Sequence, residues 1–440
     1  MSKKFYVFIL LCNLALAIPL LKPLQAKEKT IFHSLKYNWN LTETNDYLQP
    51  PNYNKKNIGD LSKTVNALIS VKDLKNKINN YICKPQHLKP TKKQLALSKK
   101  LQKRLQSTNV DAGHKTQILT NGKKSKYSIV LMHGLYMSPN QTRRLANAYK
   151  KLGFNVINLR LPGHKEKPYT NLKSVTWKDW DKKLKSTLKI AKQLGEKIIV
   201  SGHSTGGLLA HKAALDYAHA PNTHTAISGV LTFSPSLRVK TINRLGTSIG
   251  ALFNLESNFN CTYMPAKTGT QAGALADYIQ DKYSENHFYE EGIEGAMSVF
   301  EEQELMIKNI YQPLKKLNIP MLNIDSPSDR VVDTSYSKTT FEYLKKKNTL
   351  YLTEEDCFIS THMTTPSLIA PGFSIQKNPT PATCNKNIGK QKNSFINNLI
   401  KNRFKSEPPK ILSKKCLKKY LKQKIQFLDF IDKNFPERCN

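Results

Sequence analysis

Lys197-Ile-Ile-Val-Ser201 runs directly into Gly202-His203-Ser204-Thr205-Gly206, and Gly207 to Ala218 follows with one apolar face. The first run suits a buried strand and the last a helix, so the five residues between them turn the chain sharply. A serine at the centre of such a turn is crowded, and the flanking glycines relieve the crowding. The turn lifts the Ser204 hydroxyl above the sheet edge. It also aims the Thr205 N–H, at the helix N-terminus, toward negative charge developing there. A glycine-rich turn that merely closes a strand is the plain alternative.

Outward from this turn the pattern repeats. Tyr127 to His133 is an apolar run closed by Gly134, a helical stretch lies around 140–152, and Phe154 to Leu159 is the next strand. Trp177 to Leu194 places Trp177, Trp180, Leu184, Leu188 and Ala191 on one helical face. A strand at 227–234 continues the alternation, which then breaks over residues 238–318, where no clear strand–helix unit is visible. It resumes with Pro320 to Ile324, a helix around 334–347 and a strand at 348–353. Residues 364–410 are loop-rich, and 411–434 carry a stripe of Leu417, Leu421, Ile425, Leu428 and Ile431. Strands alternating with helices predict an α/β fold with a mostly parallel central sheet covered on both faces. The interruption at 238–318 reads as an insertion over that sheet.

A nucleophilic serine needs a base, a residue that orients the base, and donors for the oxyanion. His133-Gly134-Leu135 lies directly after a strong strand, where a second oxyanion donor belongs, and the Leu135 N–H is the candidate. His133 itself reads as a structural residue of that loop. Asp325, Asp329 and Asp333 all follow the strand ending at Ile324. Asp329 is preferred because it lies in the loop beyond the strand and precedes Val331-Val332, which can anchor the loop; Asp325 also suits a turn or a cap. Of 11 histidines, only His362 follows Asp329 in the order serine, acid, histidine.

These pieces together resemble the α/β-hydrolase superfamily over residues from about 125 to 362, with the final helix. Within it they are similar to the branch that contains monoacylglycerol lipases and lysophospholipases. The resemblance is carried by His133-Gly134, Leu161-Pro162-Gly163-His164, Gly202 to Gly206, Ser328-Asp329-Arg330-Val331-Val332 and His362. It implies Ser204 as nucleophile, Asp329 as acid, His362 as base, and Leu135 and Thr205 as oxyanion donors. It further implies that 238–318 is a cap shaping an acyl pocket. Ser326 and the neighbours of His362 depart from the glycines usual at those places.

The N-terminus has Lys3 and Lys4, an apolar run from Phe5 to Leu21, and Ala26 before Lys27-Glu28-Lys29. That describes a secretory signal peptide over 1–26, with an uncleaved membrane anchor as the alternative. Residues 27–106 form an N-terminal extension that ends in a polar helical stretch at 91–106, and the hydrolase core spans 107–237 and 319–440. Removing Cys12 with the leader leaves Cys83, Cys261, Cys357, Cys384, Cys416 and Cys439, an even set suited to disulfides in an oxidising compartment. Six reduced, buried thiols are the plain alternative. No cysteine or histidine spacing suits zinc.

Lys+Arg number 69 against 32 Asp+Glu, a net charge of +37. The surplus favours anionic partners such as acidic lipid headgroups, but no nucleic-acid-binding motif accompanies it, and a biased genome composition would also produce it. The expectation is an exported serine hydrolase that cleaves an acyl ester or lipid without metal or organic cofactor, with association to an anionic membrane surface left open and its oligomeric state unread. A peptidase or acyltransferase on the same triad, and a non-catalytic scaffold binding anionic polymers, are the rival readings.

Overall fold

Six short apolar runs form the parallel part of one seven-stranded sheet, as their burial on both faces requires. The computed structural model describes residues 74, 77–83, 92–105, 109–110, 112–120, 122–252, 254, 256–259, 262–284, 299–326, 329–345, 348–353, 358–359, 362, 410–411 and 414–439. In chain order the strands are β1 Gln117–Leu119, β2 Ser125–Met132, β3 Asn155–Leu159, β4 Gly195–His203, β5 Gly229–Phe233, β6 Glu256–Phe259, β7 Thr262–Pro265, β8 Met321–Asp325 and β9 Thr349–Thr353. The sheet order is β1-β3-β2-β4-β5-β8-β9. Only β1 runs antiparallel, pairing Ile118 with Ile157 at the edge. The chain steps from β2 outward to β3, then crosses back to place β4 on the other side of β2. Such a reversal opens a crevice at the carboxyl ends of the two central strands. His133-Gly134 and Ser204 stand there.

Alternation along the strands divides the core into two layers. Val130, Met132, Ile198, Val200 and Val230 face one side, and Ile129, Leu131, Ile199, Leu231 and Phe233 face the other. The first layer is covered by α1 Lys92–Leu105, α3 Trp177–Leu194 and α4 Thr205–His219, the second by α2 Pro139–Lys151. Trp180, Leu184, Leu188 and Ala191 of α3 are buried as its apolar spacing predicts, while Trp177 is half-buried. Ser138 caps α2 by accepting from the Asn140 N–H at 3.3 Å, and Pro139 opens that helix where no N–H is needed.

Residues 238–318, which showed no regular unit as sequence, contain α5 Thr241–Leu252, the β6–β7 hairpin, α6 Ala266–Ser284 and α7 Val299–Leu317. Ile307, Ile310, Tyr311 and Leu314 of α7 join the apolar layer around α4. The helix predicted around 334–347 is α8 Thr334–Tyr343, N-capped by Asp333.

The last helix, α9 Lys414–Asn434, packs Leu421, Leu428 and Ile431, together with Phe427 and Phe430, against the second layer, and Ile425 is buried as well. A short pairing of β10 Phe358–Ile359 with β11 Lys410–Ile411 precedes it. Beyond α9, Cys439 lies beside Cys83, with Cα atoms 5.3 Å apart. Cys83 donates its N–H to the Lys151 carbonyl, and Arg438 donates to the Tyr81 carbonyl, so the chain after α9 and the extension meet beside α2. The expected leader over 1–26, most of the extension and the loop-rich 364–409 lie outside the described residues. Among the described residues no helix is long and apolar enough to cross a membrane.

Candidate active site

Ser204 occupies the turn between β4 and α4 with φ 54° and ψ −120°, a conformation that crowds any side chain. The flanking glycines are required by contact. A Cβ on Gly202 would lie 2.2 Å from the Gly206 carbonyl, and one on Gly206 would lie 2.5 Å from the Met132 carbonyl oxygen. The Ser204 N–H donates to the Phe233 carbonyl at 3.0 Å, anchoring the turn to β5. The side chain is left free to project above the strand ends.

The three sequence candidates for a triad converge there although they are far apart in the chain. Ser204 Oγ lies 2.8 Å from His362 Nε2, and His362 Nδ1 lies 2.7 Å from Asp329 Oδ2. A carboxylate only accepts, so Nδ1 carries a proton, and Nε2 is the nitrogen that faces the serine hydroxyl. The other Asp329 oxygen accepts the Val331 and Val332 N–H groups at 2.8 and 3.0 Å. Burial pushes the Asp329 carboxyl up. The His362 charge and hydrogen bond, with the Val332 and Val331 N–H groups, outweigh it and hold the carboxyl below its ordinary value. All three side chains are buried, Ser204 at 6% exposed, Asp329 at 2% and His362 at 3%.

The two rival aspartates are engaged elsewhere. Asp325 accepts from Asn323 Nδ2 at 2.8 Å and from the Tyr351 hydroxyl at 3.0 Å. Its burial, joined by the nearby Asp329 charge, outweighs those hydrogen bonds and pushes it up to about 8. Asp333 accepts from the Ser335 N–H at 3.1 Å as the cap of α8. Three aspartates on one short segment thus do three separate jobs.

Of the two oxyanion candidates, Thr205 is the first residue of α4, whose leading N–H groups have no partner within the helix. Leu135 follows Gly134, and a Cβ on Gly134 would lie 3.3 Å from Ser204 Cβ, so that loop passes directly over the serine. Beyond it, Tyr136, Leu172, Tyr263 and Met264 form a buried apolar cluster with Leu135 and Tyr169 at its margin. The Tyr136 hydroxyl donates to the Pro265 carbonyl at 3.1 Å, tying this loop to β7. His133 is structural: its Nε2 accepts the Leu161 N–H at 3.1 Å and Nδ1 donates to the Gly134 carbonyl at 2.8 Å. Burial, with His164 beside it, drives its pKa far down, and the ring is neutral.

Some participants gave no signal in the sequence. Lys240 Nζ donates to the Asp329 carbonyl at 2.6 Å, and Asn243 Nδ2 donates to the Arg330 carbonyl at 2.9 Å, so these two residues clasp the Asp329 loop. Their spacing from Asp329 is long-range and has no local pattern. Among the described residues no group of three or more His, Cys, Asp or Glu side chains is arranged to hold a metal ion.

The chain is 29% identical over 114 residues to a thermostable monoacylglycerol lipase from Bacillus sp. (strain H-257), a match covering 26% of this chain and 42% of that relative's length. Among solved structures, one reported for the metagenome-derived lipolytic enzymes LipS and LipT has 17% identity and a TM-score of 0.42, covering 58% of this chain and 92% of that one. The monoacylglycerol lipase of Paleococcus ferrophilus has 17% identity and a TM-score of 0.39, covering 56% of this chain and 89% of its own. The family model described as serine aminopeptidase, S33, matches residues 123–357, just over half of the 440 residues. The chain therefore belongs to this S33 family of α/β hydrolases.

Proposed function

We propose that the chain is a carboxylic ester hydrolase acting through an acyl-enzyme. Ser204 Oγ attacks the acyl carbonyl and gives its proton to His362 Nε2, while Asp329 holds the imidazole and stabilises its charged form. The carbonyl oxygen becomes an oxyanion that accepts from the Leu135 and Thr205 N–H groups. Collapse of this intermediate breaks the ester C–O bond, and the departing alcohol takes the proton from His362. A water then gives a proton to His362, attacks the acyl carbon and releases the carboxylic acid, returning the proton to Ser204. The observation that carries this reading is the unbroken line Ser204–His362–Asp329 at 2.8 and 2.7 Å.

The substrate is an acyl ester of lipid type, lodged against the apolar cluster of Tyr136, Leu172, Tyr263 and Met264, with 238–318 as the cap that closes it. The likeness to a monoacylglycerol lipase supports an ester, whereas the family description names a peptidase. Side-by-side hydrolysis of monoacylglycerol, lysophospholipid and aminoacyl amides by the wild type and Ser204→Ala tests the reading. Ester turnover that disappears in the variant supports it, and amide turnover exceeding ester turnover would replace it with the peptidase.

Export is part of the same proposal. It rests on the N-terminal pattern of residues 1–26 and is supported by the Cys83–Cys439 pair, which joins positions 356 residues apart. The +37 charge favours attachment to an anionic membrane surface, where a lipid ester would be met.

A further inference from the structure

Gly134, Gln141, His203 and His362 are linked by hydrogen bonds that no step of acyl transfer uses directly. The Gly134 N–H donates to Gln141 Oε1 at 3.0 Å. The amide nitrogen of Gln141 is thereby turned the other way, where Nε2 lies 3.4 Å from His203 Nδ1. His203 Nε2 lies 2.6 Å from the His362 backbone carbonyl. A carbonyl only accepts, so Nε2 carries the proton of His203 and Nδ1 is left to accept from Gln141. The amide orientation and the tautomer are each demanded by the bond at the other end, and the demands agree. Burial, reinforced by the His362 charge, pushes His203 down to about 3, which keeps one donor and one acceptor in place at neutral pH.

The ends of this line are the two loops that must meet over Ser204. At one end Gly134 precedes Leu135, and a Cβ on Gly134 would lie 3.0 Å from His203 Nδ1, so the oxyanion loop rests on this ring. At the other end, Asp329 meets the imidazole of His362 at Nδ1 and Ser204 meets it at Nε2. Both contacts are to the ring, and neither holds the backbone that carries it. His203 holds that backbone, with the two ring centroids 4.9 Å apart. Gln141 is 2% exposed and His203 is fully buried, so water cannot replace a lost partner.

We propose that His203 and Gln141 are positioning residues, a relay that keeps the oxyanion loop and the base loop in register about the nucleophile. The inference rests on Ser204, His362 and Asp329 being the working triad. The two side chains touch neither substrate nor the migrating proton. They act by keeping Leu135 and His362 within reacting distance of one carbonyl carbon.

The test uses the full chain and a short-chain nitrophenyl ester, with wild type, Ser204→Ala, His203→Phe, His203→Gln, Gln141→Met and the His203→Phe/Gln141→Met double variant. His203→Phe is expected to lower kcat by about 10- to 100-fold with KM nearly unchanged, because misplacement harms the transition state and not ground-state binding. His203→Gln, whose amide N–H reaches the same carbonyl, is expected to recover most of that loss. Gln141→Met is expected to lower kcat by a smaller factor, and the double variant to be little slower than His203→Phe, as for two members of one line. Unchanged kcat in His203→Phe and Gln141→Met, no recovery in His203→Gln, or losses that simply multiply in the double variant would each overturn the relay. Should His203→Phe fail to melt cooperatively, Gln141→Met and His203→Gln carry the same comparison. Ser204→Ala separates the two claims. Turnover surviving in it would overturn the triad, whereas its loss beside undiminished relay variants would overturn the relay alone.

Discussion

Lys240 Nζ donates to the backbone carbonyl of Asp329 at 2.6 Å, so the residues just before α5 hold the loop that carries Asp329. The same segment forms a bridge between Val239 and Val332 and receives the Asp333 N–H at the Arg238 carbonyl, 2.8 Å away. Movement at the entrance of the insertion is therefore felt at Asp329. Lys240→Met is expected to lower kcat about tenfold or less while sparing the melting temperature. Ester kinetics beside a thermal melt check this, and an equal loss in Asn243→Ala would show that the clasp acts as a unit.

Replacing the acid separates the aspartates by role. Asp329→Asn keeps the shape but cannot stabilise the imidazolium, and kcat is expected to fall by about ten-thousand-fold. Asp325→Asn and Asp333→Asn are expected to stay within about tenfold of wild type, because neither contacts His362. Steady-state kinetics of the three variants decide between them. An Asp325→Asn loss as deep as that of Asp329→Asn would reassign the acid.

Asp325 also sets a dependence of stability on pH. Its folded-state pKa is pushed up to about 8 by burial, above the ordinary carboxylate value. Between about pH 4 and pH 8 the folded state holds a proton that the unfolded chain has released, so Asp325 makes stability fall as pH rises through that window. Asp325→Asn removes this term. Its melting temperature should exceed that of wild type by a few degrees near pH 8 and match it near pH 4. A difference independent of pH would contradict the assignment.

Lys212, buried in α4, lies 2.7 Å from Asp216 and 3.1 Å from Asp181 of α3, and Lys282 of α6 reaches Asp216 at 3.3 Å. This cluster locks α6 of the insertion onto the body. Burial opposes the Asp216 charge, but Lys212, Tyr283 and Lys282 bring its pKa down to about 2. A depressed carboxyl stabilises the fold above its unfolded pKa near 4, and that contribution is lost as pH falls toward 2. Lys212→Met removes the buried cation between the two carboxylates and leaves them only the more exposed Lys185 and Lys282; it is expected to cost up to about 3–5 kcal/mol, measured by denaturant unfolding at pH 7. The cost should shrink below pH 3.

A Cys83–Cys439 disulfide, part of the export proposal, would tie the end of the chain beyond α9 to the extension at Cys83. Cys83→Ser is expected to lower stability by on the order of 2–4 kcal/mol, with ester turnover at 25 °C little changed. Identical melting of the oxidised protein and this variant would count against the pairing.

Most of the sheet and the turn at Ser204 were legible because their causes are local. β2, β3, β4, β5, β8 and β9 are apolar runs dense enough to be read one by one, and α3 shows its face in Trp180, Leu184, Leu188 and Ala191. The edge strand β1 was not legible, since Gln117–Leu119 is three residues long and pairs on one side only. The β6–β7 hairpin was hidden for a similar reason: polar Glu256–Phe259 has no core-facing pattern. At the site, chain order singled out His362, and the loop beyond β8 favoured Asp329. What separates Asp329 from Asp325 and Asp333 is which partner each side chain meets, a matter of tertiary contact. Gln141, Lys240 and Asn243 were invisible for the same reason, and His203 sat inside the motif with nothing to mark its carbonyl partner.

The most direct measurement is peptide mapping by mass spectrometry after reaction with a fluorophosphonate probe. The account predicts a single adduct on the peptide containing Ser204, absent in Ser204→Ala and formed far more slowly in His362→Gln. An adduct on another residue, or labelling of Ser204→Ala at the wild-type rate, would contradict it.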